Sequence, residues 1–107
     1  MEANEKFARM MGMARRAGKA VLGAGACDAA IKSGAAKLVV VDGGASERTK
    51  NDFKNACGHY EVKIIVLHEA NILERCLGKP GNKLMGITDA GFAEKVIDLY
   101  GDASGGE

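Results

Sequence analysis

Leu38-Val-Val-Val41 is the segment that most restricts what this chain can fold into. Four consecutive apolar residues, three of them β-branched, make a strand with no polar face, so both of its sides must be covered. Lys19-Ala-Val-Leu22, Val62 to Leu67 and Leu84 to Ile87 read as three further strands, with Val62 to Leu67 buried in the same way. A chain of 107 residues has enough material for one core and not for two. The covering layers must therefore come from the segments between the strands.

Those segments carry a helical period. Phe7, Met10, Met11 and Ala14 recur at i, i+3, i+4 and i+7, which predicts an amphipathic helix over Ala3 to Ala14 that Gly18 brings to an end. The cluster Met10, Met11 and Met13 then reads as core filler rather than a binding surface. A second helix, Ala26 to Ser33, turns Cys27, Ala30 and Ile31 inward and stops at Gly34. Ser46 is placed to cap a third, with Phe53, Ala56 and Cys57 inward. Ile72, Leu73, Cys76 and Leu77 mark a fourth, followed by the turn-rich Gly78-Lys-Pro-Gly-Asn82. Thr88 or Asp89 caps a fifth carrying Phe92, Val96, Leu99 and Tyr100. Strands alternating with helices predict a single α/β domain over residues 1–100, a small sheet with helices on both faces. The polar 101–107 segment is expected to form a mobile tail.

No apolar run approaches the ~18–20 residues of a membrane span, and Met1-Glu-Ala-Asn-Glu-Lys6 has no cationic-then-apolar leader pattern. The expected compartment is the cytoplasm. Cys27, Cys57 and Cys76 are odd in number, lack C-x-x-C spacing, and read as reduced, mostly buried thiols. Cys57-Gly58-His59 has no second ligand pair at a zinc spacing, so no metal or other cofactor is expected. His59 and His68 are the sole histidines, and neither sits in a nucleophile–base arrangement; no catalytic residue is nominated.

The net charge of +1 conceals an asymmetry. Residues 1–50 hold nine basic and five acidic groups, a net +4, and the remainder a net −3. Arg15-Arg16-Ala-Gly-Lys19 is a compact basic cluster ahead of Gly23-Ala-Gly25, where a strand turns into a helix. Cations beside the free amides of a helix start favour phosphate. Lys32 and Lys37 flank the other end of that helix. The same glycines, with Asp42 about 20 residues on, also match part of a dinucleotide-binding fingerprint, but Asp28 stands where the third glycine belongs. With 5% aromatic residues and no Trp, base-stacking platforms are not supported.

Four segments in order, Ala14-Arg-Arg-Ala-Gly-Lys19, Gly34-Ala-Ala-Lys-Leu-Val-Val-Val41, Ala45-Ser-Glu-Arg-Thr-Lys50 and Gly86-Ile-Thr-Asp-Ala-Gly-Phe-Ala93, carry a resemblance. Over residues 5 to 100 the chain resembles the short bacterial YlxQ-like members of the kink-turn-binding ribosomal protein family. The resemblance implies a three-layer α/β/α sandwich with a small mixed sheet of about four strands, no catalysis, and structured RNA as the partner. It also implies that Gly23 to Ala29 enters the major groove of a kinked RNA to meet tandem sheared G·A pairs, and that the Gly78 to Lys83 loop, with Lys79, packs on an extruded nucleotide. Lys19 and the Gly23 backbone match the phosphate-side positions; Gly25 follows in the same turn, and Arg15, Lys32 and Lys37 are supporting charges. The chain departs from that pattern in two respects: the loop Gly78-Lys-Pro-Gly-Asn82 is more polar and glycine-rich than an apolar wedge, and the base-reading positions are small. Gly25, Ala26 and Ala29 stand where Asn, Glu and Lys would reach base edges, each such contact supplying ~1–3 kcal/mol of discrimination. Two readings follow: an RNA-binding module that docks through backbone amides and cations, or the same fold with that groove emptied for a protein or small-ligand partner.

Overall fold

The computed structural model describes residues 2–104, with side chains over 5–101. In chain order the elements are α1 (Glu2–Arg16), β1 (Ala20–Leu22), α2 (Ala24–Ser33), β2 (Leu38–Val41), α3 (Glu47–Tyr60), β3 (Lys63–Val66), α4 (Ile72–Leu77), β4 (Leu84–Ile87) and α5 (Ala90–Ser104). The strands form one sheet in the order β1-β4-β2-β3. β2 pairs parallel with β3 and antiparallel with β4, and β1 pairs antiparallel with β4. The sheet is mixed, and the two apolar runs without a polar face, β2 and β4, are its inner strands.

Alternation along those strands divides the interior in two. Leu38, Val40, Met85 and Ile87 meet Phe7, Met11 and Ala14 of α1, Leu73 and Leu77 of α4, and Ala93 and Val96 of α5. Val39, Val41 and Leu84 meet Cys27, Ala30 and Ile31 of α2 and Phe53 and Cys57 of α3. With each fully buried aliphatic side chain contributing roughly 1.5–3 kcal/mol, both faces of β2 have to be covered, and the three-layer α/β/α sandwich results. Gly86 sets how closely α2 lies. A Cβ there would stand 3.2 Å from Val21 Cγ2 and 3.5 Å from Cys27 Sγ, so the missing side chain lets α2 settle directly over β4.

Several sequence expectations change. Val62 to Leu67 was expected to be a buried strand; β3 instead occupies an edge, with Lys63 exposed and Ile64 and Val66 half-buried. Its apolar composition reports the core under it, not a neighbour on both sides. Lys19 lies outside β1, and α2 starts at Ala24 rather than Ala26. Of the methionine cluster, Met11 is fully buried but Met13 is 42% exposed. Two residues along a helix is a rotation of about 200°, which carries Met13 off the buried stripe. The helix expected to end near Tyr100 continues to Ser104, so the 101–107 segment begins inside α5; residues 105–107 lie outside the described residues. Asp89, not Thr88, caps α5: its Oδ2 accepts the Phe92 N–H at 2.9 Å. No described helix is long and apolar enough to cross a membrane.

Candidate nucleic-acid interface

β1, β2 and β3 run one way and β4 the other, so the ends of the first three and the start of the fourth share one end of the sheet. The Gly23 N–H donates to Leu84 O at 3.1 Å and the Asp42 N–H to Lys83 O at 2.9 Å. The α4–β4 loop, residues 78–83, is thereby joined to the starts of α2 and α3. α4 begins at the same end, after β3. Three helix N-termini, each carrying roughly half a positive charge, therefore stand together around one loop.

The three differ in how their free amides are satisfied. Ser46 caps α3, its Oγ accepting the Thr49 N–H at 3.1 Å, and Glu47 adds a carboxylate to the first turn. α4 is closed from a distance: Asp42 Oδ1 accepts the Leu73 N–H at 2.9 Å and Oδ2 those of Asn71 and Gly44, each at 2.8 Å. Burial of Asp42 pushes its pKa up, but the Leu73, Gly44, Asn71 and Ile72 amides outweigh it and hold the carboxyl below its ordinary value. This also removes the dinucleotide reading, because the acid that would bind a ribose is sealed in the protein as a helix cap.

α2 has no such closure. Gly23 precedes it with φ 94° and ψ 161°, a backbone conformation for which glycine alone is suited, and no side chain caps it. Its first turn holds no acidic residue. The Gly23 carbonyl accepts the Cys27 N–H at 3.0 Å, while the amides of Ala24, Gly25 and Ala26 have no acceptor among the described residues. Ala24, Gly25, Ala26 and Ala29 are all exposed, and nothing lies within 4 Å of where a Gly25 side chain would start. The result is an open helix N-terminus with a smooth surface of methyl groups and hydrogens.

The neighbouring loop is held from below. Glu74 Oε2 accepts the Gly81 N–H, and Lys83 Nζ donates to Asn71 Oδ1 at 3.4 Å. Asn82 buries an amide nitrogen with no acceptor among the described residues. Lys79 and Pro80 are left exposed at the tip.

The sequence-nominated residues do not gather in one place. Gly23, Gly25 and Lys79 share the sheet end just described. Lys19 and Lys37 are tied to the opposite end, where Lys19 O accepts the Thr88 N–H and the Lys37 N–H donates to Ile87 O. Lys19 is one short strand from Gly23, ~13 Å by strand rise. Arg15, in the last turn of α1, is also at that far end, and Lys32, in the last turn of α2, is engaged by Asp28 at 3.0 Å. Arg48 and Lys50 likewise face Asp52 and Glu47. The net +4 of residues 1–50 is thus spread around the molecule. Asp42 as the cap of α4 is the functional element that sequence reasoning missed, since its partners lie 29 and 31 positions away.

The open α2 terminus over a β1-β4-β2-β3 sheet is accompanied by a sequence match spanning residues 5–97 to the model of the ribosomal protein L7Ae/L30e/S12e/Gadd45 family. The chain belongs to that family. It is 38% identical over 95 residues to the RNA-binding protein YlxQ of Enterococcus faecium, a match covering 89% of this chain and 91% of that one. With the RNA-binding protein YlxQ of Bacillus subtilis (strain 168) it shares 33% over 90 residues, covering 84% and 90%. Among solved structures it is similar to a protein of unknown function from Bacillus halodurans C, with a TM-score of 0.82 at 30% identity over 88% of this chain and 95% of that one. The Giardia lamblia 15.5kD RNA binding protein shares the fold, with a TM-score of 0.74 at 15% identity over 98% and 90%.

The thiols of this family member offer no reactive site. Burial raises the pKa of Cys27, with the neighbouring Cys57 adding to it, to about 12, and burial raises that of Cys57 to about 11; burial also raises that of Cys76. All three stay neutral at physiological pH. Among the described residues no group of His, Cys, Asp and Glu is arranged to hold a metal ion.

Proposed function

We propose that this protein is a non-catalytic RNA-binding module that seats a structured, kink-turn-like RNA on the open N-terminus of α2 and the adjoining α4–β4 loop. The observation that carries the reading is the contrast in capping: α2 alone of the three co-located helix starts keeps its amides free and its first turn clear of acid. Family membership and the names of the two YlxQ relatives support RNA as the anion.

On this reading the Ala24, Gly25 and Ala26 amides bind phosphate or base-edge acceptors, the Gly23 turn lets the RNA backbone approach, and Lys79 neutralises a phosphate beside Pro80. Gly25, Ala26 and Ala29 contribute closeness and not hydrogen bonds, so shape and phosphate contacts outweigh base reading and binding is strongly salt-dependent. Lys19 and Arg15 join when the RNA runs along the β1 edge towards the far end of the sheet; Lys32 and Lys37 add field at low salt, being more than a Debye length of ~8 Å from the α2 terminus under physiological conditions.

The test is a salt titration of binding to three RNAs: a kink-turn, the same RNA with its tandem G·A pairs replaced, and a plain duplex. The wild-type protein is expected to bind all three at low salt with preference for the kinked form, and Lys79→Ala to reduce the log–log salt slope by about 1. Gly25→Glu places a carboxylate among the free amides in open space; it should weaken every RNA by at least about tenfold, a loss of ~1.4 kcal/mol, while the fold persists. Absence of binding at low salt to any of the three RNAs, or unchanged affinity in Gly25→Glu, overturns the assignment.

A further inference from the structure

We propose that the groove between α1 and α5 is a docking site for an acidic amphipathic helix of another protein, separate from the α2 terminus. Lys6, Arg9, Met10 and Met13 stand at i, i+3, i+4 and i+7 along α1, and Lys95 and Leu99 at i and i+4 along α5, so each helix presents one continuous stripe. The stripes border an open groove of about 360 Å³. Its apolar lining is Met10, Met13 and Leu99; its cations are Lys6, Arg9 and Lys95, with Asp98 the single carboxylate lining it among the described residues.

Two observations indicate the occupant. The first is apolar exposure. Met13 is 42% exposed, and the other large hydrophobic side chain exposed to this degree among the described residues, Tyr60, has its ring packed edge-on against His59. A flexible thioether lining adapts to varied apolar anchors. The second is charge. Lys6, Arg9 and Lys95 converge on one groove and, like most cations of the molecule, have no carboxylate partner among the described residues, so their charge is available to a ligand. A groove with an apolar lining and three cations fits a helix that lays Leu-type anchors at i, i+3 or i+4 and i+7 on the methionines and directs Glu or Asp to the cations. A second copy of this chain fits poorly, since a twofold contact would set the three cations against themselves. RNA fits poorly too: no aromatic ring lines the groove for a base to stack on, and phosphates gain nothing from a methionine lining.

The experiment uses the intact protein and a fluorescent helix-forming peptide of about 16 residues, long enough for four turns, with Leu at the anchor spacing and Glu on both flanks. A scrambled peptide of the same composition, phosphatidylserine vesicles and the kink-turn RNA are the parallel probes. The patterned peptide is expected to bind at least about tenfold more tightly than the scramble, and Met13→Glu and the pair Arg9→Glu with Lys95→Glu to weaken it at least about tenfold. These side chains are exposed or line the surface, and an unchanged thermal melt confirms that the variants fold. RNA affinity should change less than about twofold. Equal affinity for the two peptides, variants that bind as the parent does, capture of the vesicles without the peptide, or a parallel tenfold loss of RNA affinity each overturns the proposal.

Discussion

α4 and α2 begin at the same end of the same sheet, and their N-termini are treated in opposite ways. α4, only six residues long, is closed by a buried carboxylate from the end of β2; α2, ten residues long, is left with three amides that find no acceptor among the described residues. A short helix cannot stand without a cap, because four of its six amide donors have no partner within the helix. A longer helix packed over β4 through Cys27, Ala30 and Ile31 tolerates an open end. The difference separates an N-terminus that the fold consumes from one that it leaves for a ligand.

The comparison breaks most severely at Asp42. Asp42→Ala strands the buried Leu73 amide and removes the part-buried acceptor of the Gly44 and Asn71 amides, and should cost about 3 kcal/mol, lowering Tm by more than about 10 °C, as measured by denaturant titration and calorimetry. The same carboxylate gives the fold an acid limit. Its folded pKa lies below that of the unfolded chain, near 3.9, so its contribution is complete above about pH 5 and is lost as pH falls through the depressed folded value. Asp42→Asn should flatten the stability–pH curve below about pH 4; an unchanged acid limb would show that another group sets it.

Smaller effects sharpen the contrast. Gly23→Ala forces a side chain into a conformation that L-residues avoid, and should cost about 1–3 kcal/mol by chemical denaturation. Ser46→Ala removes the local cap of α3 and should cost about 1 kcal/mol with RNA affinity unchanged within twofold, since α3 has no free terminus to lose. The smallest change has the opposite sign. Gly25→Glu supplies the first-turn acid that α2 lacks and should raise stability by about 0.3–1 kcal/mol by the same assay, while weakening RNA. A variant that loses both stability and binding would mean that the open terminus is structural after all.

Much of this was legible locally. Leu38-Val-Val-Val41 required cover on both faces and received it; Ser46 announced the start of α3, and Gly23-Ala-Gly25 the start of α2. These features depend on neighbours within one helical turn or one strand. Val62 to Leu67 misled because an apolar run states that a strand touches the core but not whether it lies inside the sheet or at its edge. Arg15, Lys19 and the Gly23 turn are adjacent in sequence, yet the extended geometry of β1 sets the cations and the free amides at opposite ends.

What the sequence by itself determined is the set of elements, most of their buried faces and the glycine turn that opens α2, since each depends on periodicity or a neighbour a few residues away. Only the tertiary structure decided that Asp42 caps a helix 31 positions later, that three helix starts surround one loop, and that Met13 and three cations line one groove. Those depend on strand order and helix packing, which bring together residues that no local pattern relates.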